Sequence, residues 1–309
     1  MTINQKLHDT KEGSEKTCSE VLKLALKESS RVGFIPGTKI PAIIHQSWKT
    51  KNLDGIPLKS SKTWHEMFPE LLYLLWDHDD MECFFKTLYP ELMDVYLKLT
   101  VIMRADLFRY LVMHRLGGIY ADIDTTPLKD FRFWFRSLDT WKNSKYTPNK
   151  SWSIPSEFLN VSFIVGLEVD VPKAIEGTGY WTYALQLCQW TFAAAPKSSV
   201  IWNVISKIIE TARSKSQAEL KYANVIDITG PDVWTREIYR SWRELGVDPN
   251  ELREFGDSPR IINDQLILPL TAFSPGMSWD RGIGTMGSKN LSHPNSLVQH
   301  HFMGSWRGH

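Results

Sequence analysis

The stretch "MHRLGGIYADIDTTPLKD", residues 113–130, decides how this chain is read. It closes a helical pattern, passes through Gly117-Gly118, and then sets Asp122 and Asp124 at alternate positions of a short apolar run. Upstream, from Thr100 to Leu116, apolar Val101, Ala105, Phe108, Val112 and Leu116 recur at helical steps, the pattern of an amphipathic helix. Glycine past the last turn tolerates the left-handed backbone at which many helices stop. "IYADIDT" is therefore expected to be a short buried strand.

Residues i and i+2 of a strand share a face, which places the carboxylates of Asp122 and Asp124 side by side. Two such groups repel and raise each other's pKa unless a cation lies between them. Hard oxygen ligands in an open site suit Mn²⁺ or Mg²⁺, with diphosphate oxygens filling the remaining positions. Such a metal neutralises charge as a phosphate leaving group departs. The competing reading is a plain turn at Asp124-Thr125-Thr126-Pro127 with aspartate capping backbone amides. Asp106 and Arg109 lie one turn apart on the preceding helix, hence on one face. They make the context more specific than the bare triplet, although a solvated ion pair is the other use of that spacing.

Working outward, "KIPAIIHQSW" (39–48) reads as a buried strand whose carboxyl end turns polar, where open α/β sheets place ligands. "ELLYLLWDHDD" (70–80) is a second strand ending in acids, preceded by a helix with Ser61 or Thr63 as candidate N-cap. Residues 81–98 are helical in pattern, "FLNVSFIVGLEVD" (158–170) is strand-like, and helices are expected near 174–195, ending at Pro196, and at 199–213. Strands alternating with helices predict the α/β class with a mostly parallel, Rossmann-like sheet. Residues 1–36, with the amphipathic run from Ser19 to Lys27 and closed by Pro36-Gly37, are expected to form a helical arm. Residues 37–309 form the main domain.

Composition excludes some partners. With 36 basic against 35 acidic residues there is no electrostatic footprint for nucleic acid. Three cysteines without CxxC spacing are too few for a disulfide framework or a structural zinc site. No transmembrane run and no signal-peptide apolar region is seen, so the expected compartment is cytoplasmic as written. Thirteen tryptophans and 12% aromatic residues fit carbohydrate sites, where flat rings meet sugar faces, as well as an aromatic core.

"IPAIIHQSW", "MRADLFRYLVMHRLGGIYADIDT", "QWTFAAAP", "TGPDVWT", "ILPLTAFSPG" and "HHFMGSW" occur in order from about Lys39 to Trp306. Together they resemble the family 32 glycosyltransferases, a family that includes fungal initiation-specific alpha-1,6-mannosyltransferases. The resemblance implies a GT-A fold, a divalent cation, usually Mn²⁺, a nucleotide-sugar donor and a retaining transfer. On that basis Asp122 and Asp124 hold the metal and, through it, the donor diphosphate. Asp106 and Arg109 match the spacing seen in the distantly related glucosylating toxins, where the equivalent pair binds donor-sugar hydroxyls. The segment from Ile44 through His45 to Trp48 resembles the part that holds the nucleoside. Trp48 is the candidate for stacking on the base, with a core tryptophan as the alternative. His300 begins the family's His-x-x-x-Gly-Ser-Trp and is favoured over His301 as the third metal ligand. Glu168, Asp264 and Trp306 are candidates for acceptor binding.

"GIGTMG" (282–287) satisfies G-x-G-x-x-G but lacks a preceding strand and a following helix. It is read as a loop able to close over a diphosphate, with Lys289 or Arg307 lending charge. The expected activity is transfer of a hexose, mannose from GDP-mannose, to a glycan hydroxyl. A lipid or small-molecule acceptor in the cytoplasm is the alternative, and a glycoside hydrolase or a non-catalytic sugar-binding protein ranks lower. Two departures from the family pattern stand out. No N-terminal anchor is seen, so a Golgi location requires a trimmed form, and Lys197-Ser198-Ser199 replaces the usual Gly-His-Pro after the shared "QWT".

Overall fold

The computed structural model describes residues 18–136, 141–142, 155–173, 182–276 and 287–304. Most of the Gly-rich loop, Trp306 and Arg307 lie outside the described residues. Helix α1 (Cys18–Ser29) precedes strand β1 (Ile43–Ser47), helix α2 (Gly55–Met67), strand β2 (Leu72–Trp76), helices α3 (His78–Leu88), α4 (Met93–Lys98) and α5 (Val101–Leu116), and strands β3 (Gly118–Ala121) and β4 (Thr125–Pro127). Strands β5 (Phe163–Asp170) and β6 (Leu185–Ala194) lead to helices α6 (Ser199–Ser214), α7 (Gln217–Tyr222), α8 (Val225–Ile228) and α9 (Pro231–Glu244). Strands β7 (Arg260–Ile262) and β8 (Gln265–Leu268), helix α10 (Leu270–Phe273) and strand β9 (Val298–His300) complete the order.

Seven strands form one sheet in the order β2-β1-β3-β6-β5-β8-β7, and β4 pairs with β9 in a separate ribbon. Strands β1, β2, β3, β5 and β8 run in one direction, while β6 and β7 run against them. The α/β class and the mostly one-directional sheet are thus as expected. Apolar clusters fill both faces of the sheet, one under α5, α6 and α9 and the other under α2, α10 and the aromatic turn at Phe131–Phe135. Six tryptophans, Trp64, Trp76, Trp134, Trp141, Trp234 and Trp242, are fully buried, so much of the aromatic excess is core.

Several local expectations are corrected. The segment expected as a helix near 174–195 contains β6, all ten of whose residues are buried. A continuous apolar run carries no period that separates a buried strand from a buried helix, and pairing to β3 and β5 on both sides decides it. Helix α2 starts at Gly55 after Asp54, so Ser61 and Thr63 are mid-helix rather than N-caps. Pro57 sits in the first turn, where a missing N–H leaves no helical bond unmade. The acids after β2 cap α3: Asp80 N–H donates to Asp77 Oδ1 at 2.9 Å and Asp77 N–H to Asp80 Oδ2 at 3.2 Å.

Helix α5 is not amphipathic in place. Ten of its residues are buried, among them Asp106 and Arg109, whereas Val101 is 59% exposed. The run expected as an N-terminal arm packs α1 against α3, with Val21, Leu22 and Ala25 in the same cluster as α5. Among the described residues no helix is long and apolar enough to cross a membrane. Cys188 in β6 is buried and free, while Cys83 on α3 is disulfide-bonded.

Candidate active site

Gly117 ends α5 with φ +67° and Gly118 opens β3 with φ +109°. A Cβ on Gly118 would lie 2.5 Å from the Ile43 carbonyl oxygen, so only glycine lets β3 close onto β1 directly after the helix. β3 lasts four residues and stops at Ala121. Asp122 and Asp124 therefore do not lie on a strand, as the alternation implied, but on the turn between β3 and β4. The Thr125 N–H donates to the Asp122 carbonyl at 3.1 Å, and Asp122 N–H donates to the Trp190 carbonyl at 2.7 Å. This turn stands at the carboxyl ends of β1 and β3, the edge at which open α/β sheets bind ligands.

The ribbon β4–β9 brings the third ligand candidate. Thr125 is the register partner of His300, which sets the imidazole over the turn. Asp122, Asp124 and His300 each offer one ligand atom within 4.8 Å of the others. His300 Nε2 lies 3.2 Å from Asp124 Oδ1, and the other oxygen of that carboxylate accepts the Met303 N–H at 2.9 Å. His301 turns the other way, its Nε2 2.8 Å from Thr126 Oγ1, so of the two histidines only His300 reaches the carboxylates. Two carboxylates and an imidazole form a hard, anionic donor set that fits Mn²⁺ or Mg²⁺.

Asp106 and Arg109 reach the same edge from α5. The Arg109 Nη2 donates to Asp122 Oδ1 at 2.9 Å and lies 3.3 Å from Asp106 Oδ1. Asp106 also accepts from Gln189 Nε2 at 3.1 Å and from Thr229 Oγ1 at 2.8 Å. Burial pushes the Asp106 carboxyl up to about 6 against the pull of Arg109 and these hydrogen bonds. Burial also raises Asp122, opposed by Arg109 and assisted by Asp124. Burial acts upward on Asp124 too, but the hydrogen bond and charge of His300 and the Met303 amide hold it below the usual carboxylate range.

The remaining candidates divide. Trp48 is only part-buried, directly past the carboxyl end of β1, with Lys49 Nζ 5.6 Å from its ring centroid; it is not a core tryptophan. Ile44 is fully buried in the apolar cluster under α2, which leaves its side chain no contact with a nucleoside. His45 is fully buried as well, with Nε2 3.0 Å from the Gly117 carbonyl and Nδ1 accepting from Trp76 Nε1 at 3.2 Å. Burial lowers it to about 4, and as a neutral ring it ties β1 to the end of α5.

Glu168, near the carboxyl end of β5, stands close enough to Asp122 and His300 for their charges to act on it. Asp264 does not join the site. It caps the β7–β8 turn by accepting from Ser162 Oγ and from Asn263 Nδ2 at 3.1 Å, at the amino end of β5. Five residues of strand, roughly 17 Å, separate that end from Glu168. Lys289 is directed at Asp257, with 3.7 Å between Nζ and Oδ2.

Residues 57–147 match the model of the "Glycosyltransferase sugar-binding region containing DXD motif". The initiation-specific alpha-1,6-mannosyltransferase of Schizosaccharomyces pombe is 32% identical over 281 residues, 87% of this chain and 64% of that protein. The chain is similar to the DXD-containing glycosyltransferases. The enzyme of the same name from Candida albicans is 25% identical over 297 residues, 86% of this chain and 72% of that protein. Inositol phosphoceramide mannosyltransferase 3 of S. pombe is 35% identical over 104 residues, 31% of this chain and 29% of that protein. The chain thus spans a little under two thirds of the first of these relatives.

Two groups of residues at this site were not singled out by sequence reasoning. Gln46 is fully buried; its Nε2 donates to the Asp122 carbonyl at 3.1 Å and to Ser60 Oγ at 3.3 Å, and its Oε1 accepts from Tyr73 OH at 2.7 Å. Ser60 and Trp64 in turn bond the Thr125 carbonyl, so α2 clamps the backbone of the D-x-D turn. A polar glutamine inside an apolar strand was the available signal. The second group is Gln189 and Thr229. Between the register pairs Val165–Leu167 of β5 and Phe192–Leu187 of β6, four residues of β6 stand against Gly166 alone. That bulge aims Gln189 at Asp106 and Trp190 at His300, whose ring centroid is 4.6 Å away.

Proposed function

We propose that this protein is a metal-dependent retaining glycosyltransferase that moves mannose from GDP-mannose to a hydroxyl of a glycan. The observation that carries the reading is the convergence of Asp122, Asp124 and His300, from segments far apart in sequence, beside the buried Asp106–Arg109 pair. Asp122, Asp124 and His300 would hold Mn²⁺ or Mg²⁺, which supplies positive charge to a departing diphosphate. Arg109, buried and fixed by Asp106, Asp122 and the Tyr120 ring 4.9 Å away, opposes the upward push of burial on the Asp122 carboxyl and directs it at that position. Asp106, with Gln189 and Thr229 around it, offers carboxylate oxygens to donor-sugar hydroxyls. Trp48 offers a part-exposed aromatic face to the base at the carboxyl end of β1. The acceptor hydroxyl attacks from the face that the diphosphate leaves, and a donor phosphate oxygen takes its proton, so no dedicated protein base is required. Mannose rests on what the two initiation-specific alpha-1,6-mannosyltransferases are named for.

A second reading, transfer to a lipid, is favoured by the shorter match to inositol phosphoceramide mannosyltransferase 3. The deciding experiment is nucleotide release, without acceptor, from a panel of GDP- and UDP-sugars in the presence of Mn²⁺. Slow hydrolysis of GDP-mannose that EDTA abolishes is the expected result; indifference to every nucleotide sugar overturns the proposal.

A further inference from the structure

Glu168 is a part-buried carboxylate that the scheme above leaves unused. Its side chain accepts one hydrogen bond, from Gln186 Nε2 at 2.9 Å to Oε2. It does not belong to the metal triad, whose ligand atoms close within 4.8 Å without it. Two further polar groups near it lack partners. The Trp190 indole N–H, on a side chain only 4% exposed, acts on the Glu168 carboxylate as a donor but meets no partner at hydrogen-bonding distance, and His300 Nδ1 likewise meets none. Buried polar groups are satisfied in the great majority of native structures, and unpaired ones gathered at one point call for a ligand.

Position separates this group from the donor side. Asp106 and Arg109 approach the sheet edge from α5, whose cluster contains Leu185, Leu187 and Phe192. Trp190 and Cys188 belong to the cluster on the opposite face, and the Cys188 thiol, raised first by burial, also feels the Glu168 charge. Beyond them the rings of Trp190, His300 and Phe302 form a column with centroid separations of 4.6 and 4.0 Å, and the outermost, Phe302, is 51% exposed. An exposed ring leading to an aimed carboxylate is the pairing that suits a sugar, which has apolar C–H faces and hydroxyl edges.

We infer that Glu168 is a binding residue for the acceptor: its carboxylate, aimed by Gln186, receives a hydroxyl of a neutral hexoside that enters past Phe302 and lies across the metal triad from Asp106 and Arg109. This rests on the reading of the protein as a sugar transferase.

The test uses the full chain with Mn²⁺, GDP-mannose and methyl α-D-mannopyranoside as acceptor probe. Glu168→Gln preserves volume and a hydrogen bond with Gln186 but removes the charge. Expected is a rise of about 10- to 100-fold in the KM for the mannoside, the loss typical of a hydrogen bond to a charged group. The KM for GDP-mannose and the acceptor-free release of GDP should change by much less than the mannoside KM, because Glu168 contacts none of the donor groups and only its charge reaches Asp122 and His300. Gln186→Met, which frees the carboxylate without removing it, should give a smaller rise in the same constant. Binding of the mannoside to wild type with Mn²⁺ and GDP, followed by saturation-transfer NMR, should weaken in both variants. An unchanged mannoside KM and an unchanged NMR signal in Glu168→Gln overturn the inference, and so does equal loss of acceptor-free GDP release. Failure of wild type to release GDP at all instead removes the transferase reading, a result visible before any variant is made.

Discussion

Asp106→Asn isolates the most perturbed carboxylate of the site. The wild-type group is raised from 3.8 to about 6, chiefly by burial, so the native state binds its proton more tightly than the unfolded chain does. A raised carboxyl adds stability that is fully present below the unfolded pKa and is lost as pH climbs through the folded one. Across pH 4 to 7, at about 1.4 kcal/mol per pKa unit and with both states partly titrated at the acid end, that loss is roughly 2 to 3 kcal/mol. Asparagine does not titrate. Thr229 Oγ1 and Gln189 Nε2, which both donate to the carboxylate, can each reorient to meet one amide oxygen and one amide NH₂. The measurement is a pair of urea titrations at half-unit steps from pH 4 to 7. With a slope of about 3 kcal/mol per molar for a chain of this size, the wild-type midpoint should fall by about 1 M relative to the variant over that window. Groups shared by both proteins cancel in the difference. A difference that stays flat shows that Arg109, at 3.3 Å, outweighs burial and keeps Asp106 ionised throughout, and the reasoning fails.

Gly118→Ala should lower stability by about 3–5 kcal/mol, combining positive-φ strain with a clash against a backbone carbonyl that cannot swing away; a loss below about 1 kcal/mol in urea refutes it. Metal binding should be legible in melting alone. At one hundred times its dissociation constant Mn²⁺ stabilises by about 2.7 kcal/mol, and Asp124→Asn or His300→Ala should abolish most of that rise, while equal rises in variant and wild type place the ion elsewhere. Trp48→Ala should weaken GDP binding by about 1–3 kcal/mol, the range for stacking an aromatic on a base, with no effect on the melting of the free protein; unchanged nucleotide affinity removes Trp48 from the site. Gln46→Leu leaves the Tyr73 hydroxyl with one partner and removes the bond from β1 to the Asp122 carbonyl, so Mn²⁺-dependent GDP binding should weaken more than 10-fold, with an unchanged value speaking against the role of Gln46 in the clamp.

The central module was legible because its constraints are local. A helix that must stop, two glycines that tolerate positive φ, and two carboxylates one residue apart all act within a few residues of one another, and the residue types alone express them. The same holds for β1, β2 and α6, whose apolar runs and boundaries fall close to their expected places. Local reasoning failed where burial is complete. The fully apolar interior of β6 offers no period to read, and α5, polar by composition at Asp106 and Arg109, lies buried because those side chains pair with each other and with Asp122.

The sequence by itself therefore determined the α/β class and the carboxylate pair past the double glycine, since sterics and backbone conformation dictate both. Only the tertiary structure decided that Asp122 and Asp124 stand on a turn and that His300 rather than His301 meets them. It also turned Ile44 and His45 inward, left Trp48 part-exposed, and put Asp264 at the far end of the sheet. Those outcomes depend on register between distant strands and on which side chains the core can hold, and neither is expressed in any short stretch of residues.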